Sequence, residues 1–351
     1  MLTIVIPTRN RPQNLAGQLR LFRRSSYPII VADTSDADDA TRVRSLCGAD
    51  QYQGLDPGFT LYDKLQSVLS RIDTPFVLLA SDRKVTFPHA IDVLLNYLLA
   101  NEDHVAAMGY VIGFAASQNM VDINRVVYFS PTIGEADPLQ RHYHLMQRYQ
   151  SWSFALFRTA PVLRAVAQAR QVNGAVFQEV LMMNTLALQG KMARLPTILS
   201  LQSEERSFHP PKRNDPFYWF LDDIDSFFRH YLAYRTILTD FIRAQQISVP
   251  AHADLDQLVD MIHAVWLRRN FDDGVLNHAA RLLLGDAIRP ISGPELPVPR
   301  HKISWRDLVK QGTLRYVWRT EVLRAEPRSE IRISRNEIDR VMEQLDLYFE
   351  K

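Results

Sequence analysis

From the first residues on, short strand-like runs alternate with stretches of helical periodicity, and this alternation constrains the fold more than any other feature of the chain. The runs are Leu2–Ile6, Pro28–Ala32, Asp50–Tyr52 and Phe76–Ala80; helices are expected from Pro12 onward and over 38–46, 60–71 and 88–100. Strands joined through a helix cannot pair as hairpins, so they lie parallel in a sheet with helices on both faces. Phe76–Ala80 is apolar throughout instead of alternating, as a strand covered on both faces requires. The expected class is α/β, a mostly parallel sheet flanked by helices.

Three of these runs end abruptly in polar loops: Pro7–Arg11, Asp33–Ser35 and Ser81–Lys84. Ligands of open α/β sheets bind outside the carboxyl ends of the strands, so the three loops should converge on one crevice. Together they hold two carboxylates, several hydroxyls and at least three cations, a set suited to a polar ring, a ribose and a pyrophosphate. No Gly-x-Gly-x-x-Gly follows the first strand and no Walker A sequence occurs, so side chains and a metal must meet the phosphates.

Composition sets wider limits. The 351 residues suggest two packed units. With 46% apolar and 23% charged residues the chain can bury a full core. A net charge of +2 gives no case for nucleic acid. The single cysteine, Cys47, forbids an internal disulfide and fits a reducing compartment. The first residues begin a strand without a basic and then a long apolar segment, and no run approaches the roughly 20 apolar residues of a membrane span. A cytoplasmic protein is expected, with any membrane contact peripheral.

Thr3-Ile-Val-Ile-Pro-Thr-Arg-Asn-Arg-Pro12, Ile29-Ile-Val-Ala-Asp-Thr-Ser35 and Thr74-Pro-Phe-Val-Leu-Leu-Ala-Ser-Asp82 together resemble glycosyltransferases of family 2 type, which have the GT-A fold, over roughly residues 1–205. The resemblance implies a nucleotide-sugar donor, UDP-linked by preference, with base and ribose against Pro7, Thr8, Arg9 and Asp33. Arg11, Arg83 and Lys84 would serve the diphosphate, and Lys64 aligns with a donor-site lysine. The family's Asp-x-Asp motif falls on Ala80-Ser81-Asp82, so Asp82 alone remains to hold a Mg²⁺ or Mn²⁺. The missing first Asp also raises a rival reading, a degenerate GT-A domain that binds nucleotide or glycan without catalysis. A sugar-nucleotide pyrophosphorylase would need a glycine-rich loop after the first strand, and Pro7–Pro12 has no glycine. An inverting transfer to a glycan, lipid-linked or protein hydroxyl needs a general base. The resemblance puts it at the start of a late helix, where Glu179 is the candidate.

Beyond Ala100 the pattern reads as strands at 104–114, 121–128, 152–157 and 194–201 and helices at 137–149, 160–171 and 177–189. A basic loop follows, with Arg206 as a phosphate contact and His209 as a second metal ligand. A GT-A-like catalytic domain is thus expected over 1–214. A helical domain should follow over 215–351, with helices at 215–246, 255–269, 275–284, 305–323 and 336–349. Residues 300–335 hold ten Lys or Arg against four Asp or Glu, a surface suited to anionic lipid.

Overall fold

The computed structural model describes residues 1–23, 25–117, 120–128, 130–203, 219–220, 222–272, 308–311, 314–318 and 333–349. The first third follows the expected alternation. Strands β1 (Leu2–Thr8), β2 (Ile29–Asp33), β3 (Tyr52–Gly54) and β4 (Phe76–Leu79) are separated by helices α1 (Pro12–Phe22), α2 (Ala37–Leu46) and α3 (Leu61–Leu69). All their pairings are parallel, in the order β3-β2-β1-β4. The chain runs outward from β1 to β3 and then returns to β1's other side with β4, so the order reverses between β1 and β4. That reversal opens the crevice of a doubly wound sheet.

Local chemistry fixes the elements that border the crevice. Pro12 opens α1 and Arg20 closes its last turn, each at the end of the helix it favours. Thr60 and Asp63 form a capping box at the start of α3: the Asp63 amide donates to Thr60 Oγ1 at 3.2 Å and the Thr60 amide to Asp63 Oδ2 at 3.1 Å. This anchors the helix one residue before Lys64.

After α4 (Pro88–Ala100) the sheet becomes mixed. Strands β5 (Lys84–Thr86), β6 (His104–Ser117), β7 (Met120–Tyr128), β8 (Leu156–Arg158) and β9 (Lys191–Ser203) surround helices α5 (Pro138–Gln147), α6 (Thr159–Ala169) and α7 (Ala175–Gln189). β8 lies antiparallel between β4 and β6, while β6 pairs parallel with β9 and antiparallel with β7. Strand β5 has no local signal of its own; its three residues pair with β9. Gly190, which ends α7, is packed so closely against β6 that an added Cβ would lie 2.5 Å from Val105 Cγ1.

The remaining elements are helices α8 (Ile224–Ala244) and α9 (Leu255–Asp272), strands β10 (Leu308–Gln311) and β11 (Leu314–Trp318), and helix α10 (Arg335–Phe349). The stretch 305–323, expected as a helix, instead contains the antiparallel pair β10 and β11, and β11 extends the sheet beside β7. Leu314-Arg-Tyr-Val-Trp318 alternates in a way that suits a strand, and an open sheet edge is available to it. Helices α8 and α9 pack against α5 and α7 through Phe177, Phe227, Tyr234 and Trp266. Helix α10 packs elsewhere, on α1 and β9, with Ile338, Val341, Met342 and Leu345 buried beside Leu21 and Leu201. The expected helix at 275–284 and the loop with Arg206 and His209 lie outside the described residues, as does most of the basic stretch 300–335.

Candidate active site

Register alone brings the first site residues together. Thr8 pairs with Asp33, and Val5 pairs with Leu79, so three residues further along each strand Thr8 meets Asp82. The Thr8 hydroxyl donates to Asp82 Oδ2 at 2.8 Å, and Arg11 Nη1 reaches both Asp82 oxygens at 3.3 and 3.4 Å. Thr8, Asp33 and Asp82 are buried, Arg11 is partly exposed, and Arg9 is exposed beside them. Pro7 is buried within β1, opposite Ala32.

Lys64 is buried, and its ammonium donates to the Thr8 carbonyl at 2.8 Å. Burial pushes its pKa down to about 8, while Asp82 and Asp33 oppose that shift. Burial raises the Asp82 carboxyl above its ordinary value, against the pull of Arg11 and Thr8. Two acids and two cations therefore share a poorly solvated cleft.

Asp33 organises its own loop. Its Oδ1 accepts from the Ser35 amide at 2.9 Å and the Ser35 hydroxyl at 2.5 Å, and its Oδ2 from the Tyr52 hydroxyl at 3.2 Å. Ser35 Oγ in turn accepts from the Asn10 amide at 2.8 Å, tying the β1 and β2 loops together. Asn10 adopts φ of 54°, a left-handed conformation that Asn tolerates. Cys47, nearby, is raised to about 11 by burial and the Asp33 carboxylate, which keeps the thiol protonated.

Glu179 is the fifth residue of α7, beyond the first turn, so stabilising the helix start is not its role. It accepts from the Tyr149 hydroxyl at 2.9 Å and from Ser153 Oγ at 3.4 Å. Burial raises its pKa; Tyr149, Ser151, Lys84 and Ser153 all work against that rise. Burial chiefly, and the Glu179 carboxylate after it, raise the phenols of Tyr62, two residues before Lys64, and of Tyr128.

Lys84 differs from its sequence assignment. Strand β5 turns it inward, where its ammonium sits 4.8 Å from the Tyr128 ring centroid and 4.9 Å from that of Phe154. Burial lowers its pKa to about 7, against the attraction of Glu179. It therefore belongs with Glu179, whereas Arg83 is exposed at the rim. Nothing local connects Tyr62, Tyr149 and Ser153 with Glu179; they come from α3 and from the loop between α5 and β8, which only the tertiary fold brings to α7. His142 is fully buried, with no hydrogen-bond partner for either ring nitrogen and a pKa pushed to about 3, and His144 pairs with Glu135 at 2.5 Å. Both are structural.

Among the described residues no three His, Cys, Asp or Glu side chains cluster as a metal site. Asp82 fits a divalent ion in the sparse manner of Mg²⁺, as one carboxylate with phosphate and water completing the shell, once Arg11 gives up its 3.3 Å contact.

No family model and no curated protein matches the chain. Solved structures do. S. aureus TarS 1-349 matches with 12% identity over 81% of this chain and 78% of that one, at a TM-score of 0.47. Its complex with UDP-GlcNAc matches with 13% identity over 80% and 75%, at 0.46. The 4-diphosphocytidyl-2C-methyl-D-erythritol synthase of Anaerococcus prevotii matches with 12% identity over 56% and 86%, at 0.36.

Proposed function

We propose that the chain is a nucleotide-sugar-dependent glycosyltransferase of family 2 type that transfers with inversion to an acceptor hydroxyl. The observation that carries the reading is the meeting of Thr8, Arg11, Lys64 and Asp82 where the strand order reverses, and Glu179 lies in a second cluster with Tyr149 and Ser153. The base and ribose lie against Pro7, Thr8, Arg9 and the Asp33 loop. Arg11 binds the diphosphate, with Lys64 behind it. A Mg²⁺ or Mn²⁺ travelling with the diphosphate would be held at Asp82 and would supply further charge neutralisation.

Glu179 takes the proton. Tyr149 and Ser153 fix its carboxylate by donating one hydrogen bond to each oxygen, and lone pairs remain for an acceptor hydroxyl. As that hydroxyl attacks the anomeric carbon from the face opposite the diphosphate, its proton passes to Glu179 and the bond to the phosphate oxygen breaks. Positive charge preorganised around the leaving group and alignment of the reactants supply most of the acceleration. A glycan, lipid-linked or protein acceptor is compatible with this chemistry. The basic stretch 300–335 is proposed as the contact with an anionic membrane.

Titration calorimetry with UDP tests the donor site. Arg9 is exposed, so Arg9→Ala should leave the fold intact and weaken UDP by about tenfold, the loss expected for one charge-assisted bond. Equal affinity in parent and variant, or no binding of any nucleoside diphosphate, would remove the donor site from this crevice.

A further inference from the structure

Strand β5 carries a buried cation that no described carboxylate contacts. Lys84 is 7% exposed, and its ammonium lies between two aromatic rings, 4.8 Å from the centroid of Tyr128 and 4.9 Å from that of Phe154. Among the described residues the ammonium has neither a hydrogen-bond acceptor nor an ion-pair partner. An ammonium has three N–H donors, and burying it with none of them paired is costly; the ring faces offset only part of that cost. A methionine would fill the same space without it. A buried polar group left in this state calls for an explanation, and a ligand that supplies the missing acceptor is one.

The cation is within reach of a solute. Trp152 Nε1, two residues before Phe154, is shut off from solvent without a partner, whereas Lys84 Nζ is not, and Tyr128 and Phe154 are themselves partly exposed. The same residues lead to the base. Ser153, the chain neighbour of Phe154, donates to Glu179 Oε2 at 3.4 Å and accepts from Ser151 Oγ at 2.9 Å. Ser153 thus meets the carboxylate and Phe154 meets the ammonium, one residue apart. The donor diphosphate has cations of its own: Arg11 is tied to Asp82 and Lys64 to Thr8, and none of those contacts includes Lys84.

We propose that Lys84, held between Tyr128 and Phe154, is an acceptor-binding residue that pairs with an oxyanion, a phosphate or a carboxylate, on the molecule whose hydroxyl Glu179 deprotonates. The acceptor is then an anionic one, with its charged group close to the reacting hydroxyl. An anionic acceptor approaching a carboxylate base is repelled by it, and a cation set beside the base offsets that repulsion. The inference rests on the transferase reading and names the class of acceptor that its base serves.

The test is a ligand-observed NMR titration of the full chain, with UDP at saturation to fill the donor site and probes built on one ring: methyl glucoside, its 6-phosphate and methyl glucuronide. The parent should bind a charged probe about tenfold more tightly than the neutral one, the gain expected for one charge-assisted bond, and whichever charged probe leads tells phosphate from carboxylate. Lys84→Met should erase that preference while UDP binds within about twofold of the parent. Phe154→Leu keeps the cation but removes one of the rings that hold it, and should narrow the preference; it stands in if circular dichroism shows Lys84→Met unfolded. Equal binding of charged and neutral probes by the parent, or an undiminished preference in either folded variant, would overturn the role of Lys84 and leave the transferase reading standing. A parent that binds no nucleoside diphosphate would instead bring down the transferase reading, and this inference with it.

Discussion

Replacing Lys84 by methionine removes a cation that the fold holds between two aromatic rings, and the effect on stability should depend on pH in a calculable way. The ammonium titrates near 7 in the folded chain against an ordinary value of 10.5, chiefly because it is buried. Between those values the unfolded chain keeps a proton that the folded chain has shed, so stability rises with pH across that window. From pH 7 to pH 9, allowing for partial protonation at the lower end, the parent should gain about 2 kcal/mol relative to Lys84→Met. Urea unfolding at both pH values, with equal ionic strength and the slopes checked for equality, reads this double difference directly. Other titrating groups are common to both proteins and cancel. A mutant-to-parent difference that stays constant from pH 7 to pH 9 would refute the reasoning, and would mean that Glu179 holds the ammonium at its ordinary pKa despite burial.

The same substitution should move catalysis. The Lys84 cation lowers the Glu179 pKa, so Lys84→Met should shift the acid limb of the kcat/KM profile to higher pH, and an unmoved limb would disconnect the two. Mn²⁺ should strengthen UDP binding in the parent and have no effect on Asp82→Asn in calorimetry; equal strengthening in both would remove Asp82 from the metal. Glu337→Ala strips partners from the Ile198 amide and the Thr197 hydroxyl and should cost about 2–4 kcal/mol in urea unfolding, with a loss below about 1 kcal/mol counting against a docking role. Burial raises the Glu337 pKa, but bonds from His89, Thr197 and Ile198 outweigh it and leave the group below its ordinary 4.5. Its contribution is therefore full above that value and fades as pH falls through the folded one, a loss that Glu337→Ala should lack.

The parallel half of the sheet was legible because its signals are local. Apolar runs bounded by Pro12 and Pro88 state their own ends, and strand-end loops in such a sheet have one place to go. The meeting of Thr8 with Asp82 follows from register once the order is known. Legibility stops where contacts are long-range. Lys84 reads as one of two adjacent loop cations, and only the pairing of β5 with β9 turns it toward Tyr128 and Phe154. The stretch 305–323 contains apolar residues at both helical and strand spacing, and the free edge of β7 decides in favour of strands. Tyr348 carries no local mark of what it packs against. Its position depends on Gly17 and Arg20, more than 320 residues earlier.

The central claim is that one carboxylate, Glu179, takes the acceptor proton in a site that binds the nucleotide sugar elsewhere. Glu179→Gln preserves shape and keeps an oxygen for the Tyr149 hydroxyl while removing the base. With UDP affinity measured by calorimetry and transfer or hydrolysis of a nucleotide-sugar panel followed by NMR on the same preparations, the account predicts unchanged UDP binding, an inverted product from the parent, and a rate lower by roughly 10²- to 10⁴-fold in the variant. A Glu179→Gln variant turning over at the parent's rate, or a product that retains the donor's anomeric configuration, would contradict it.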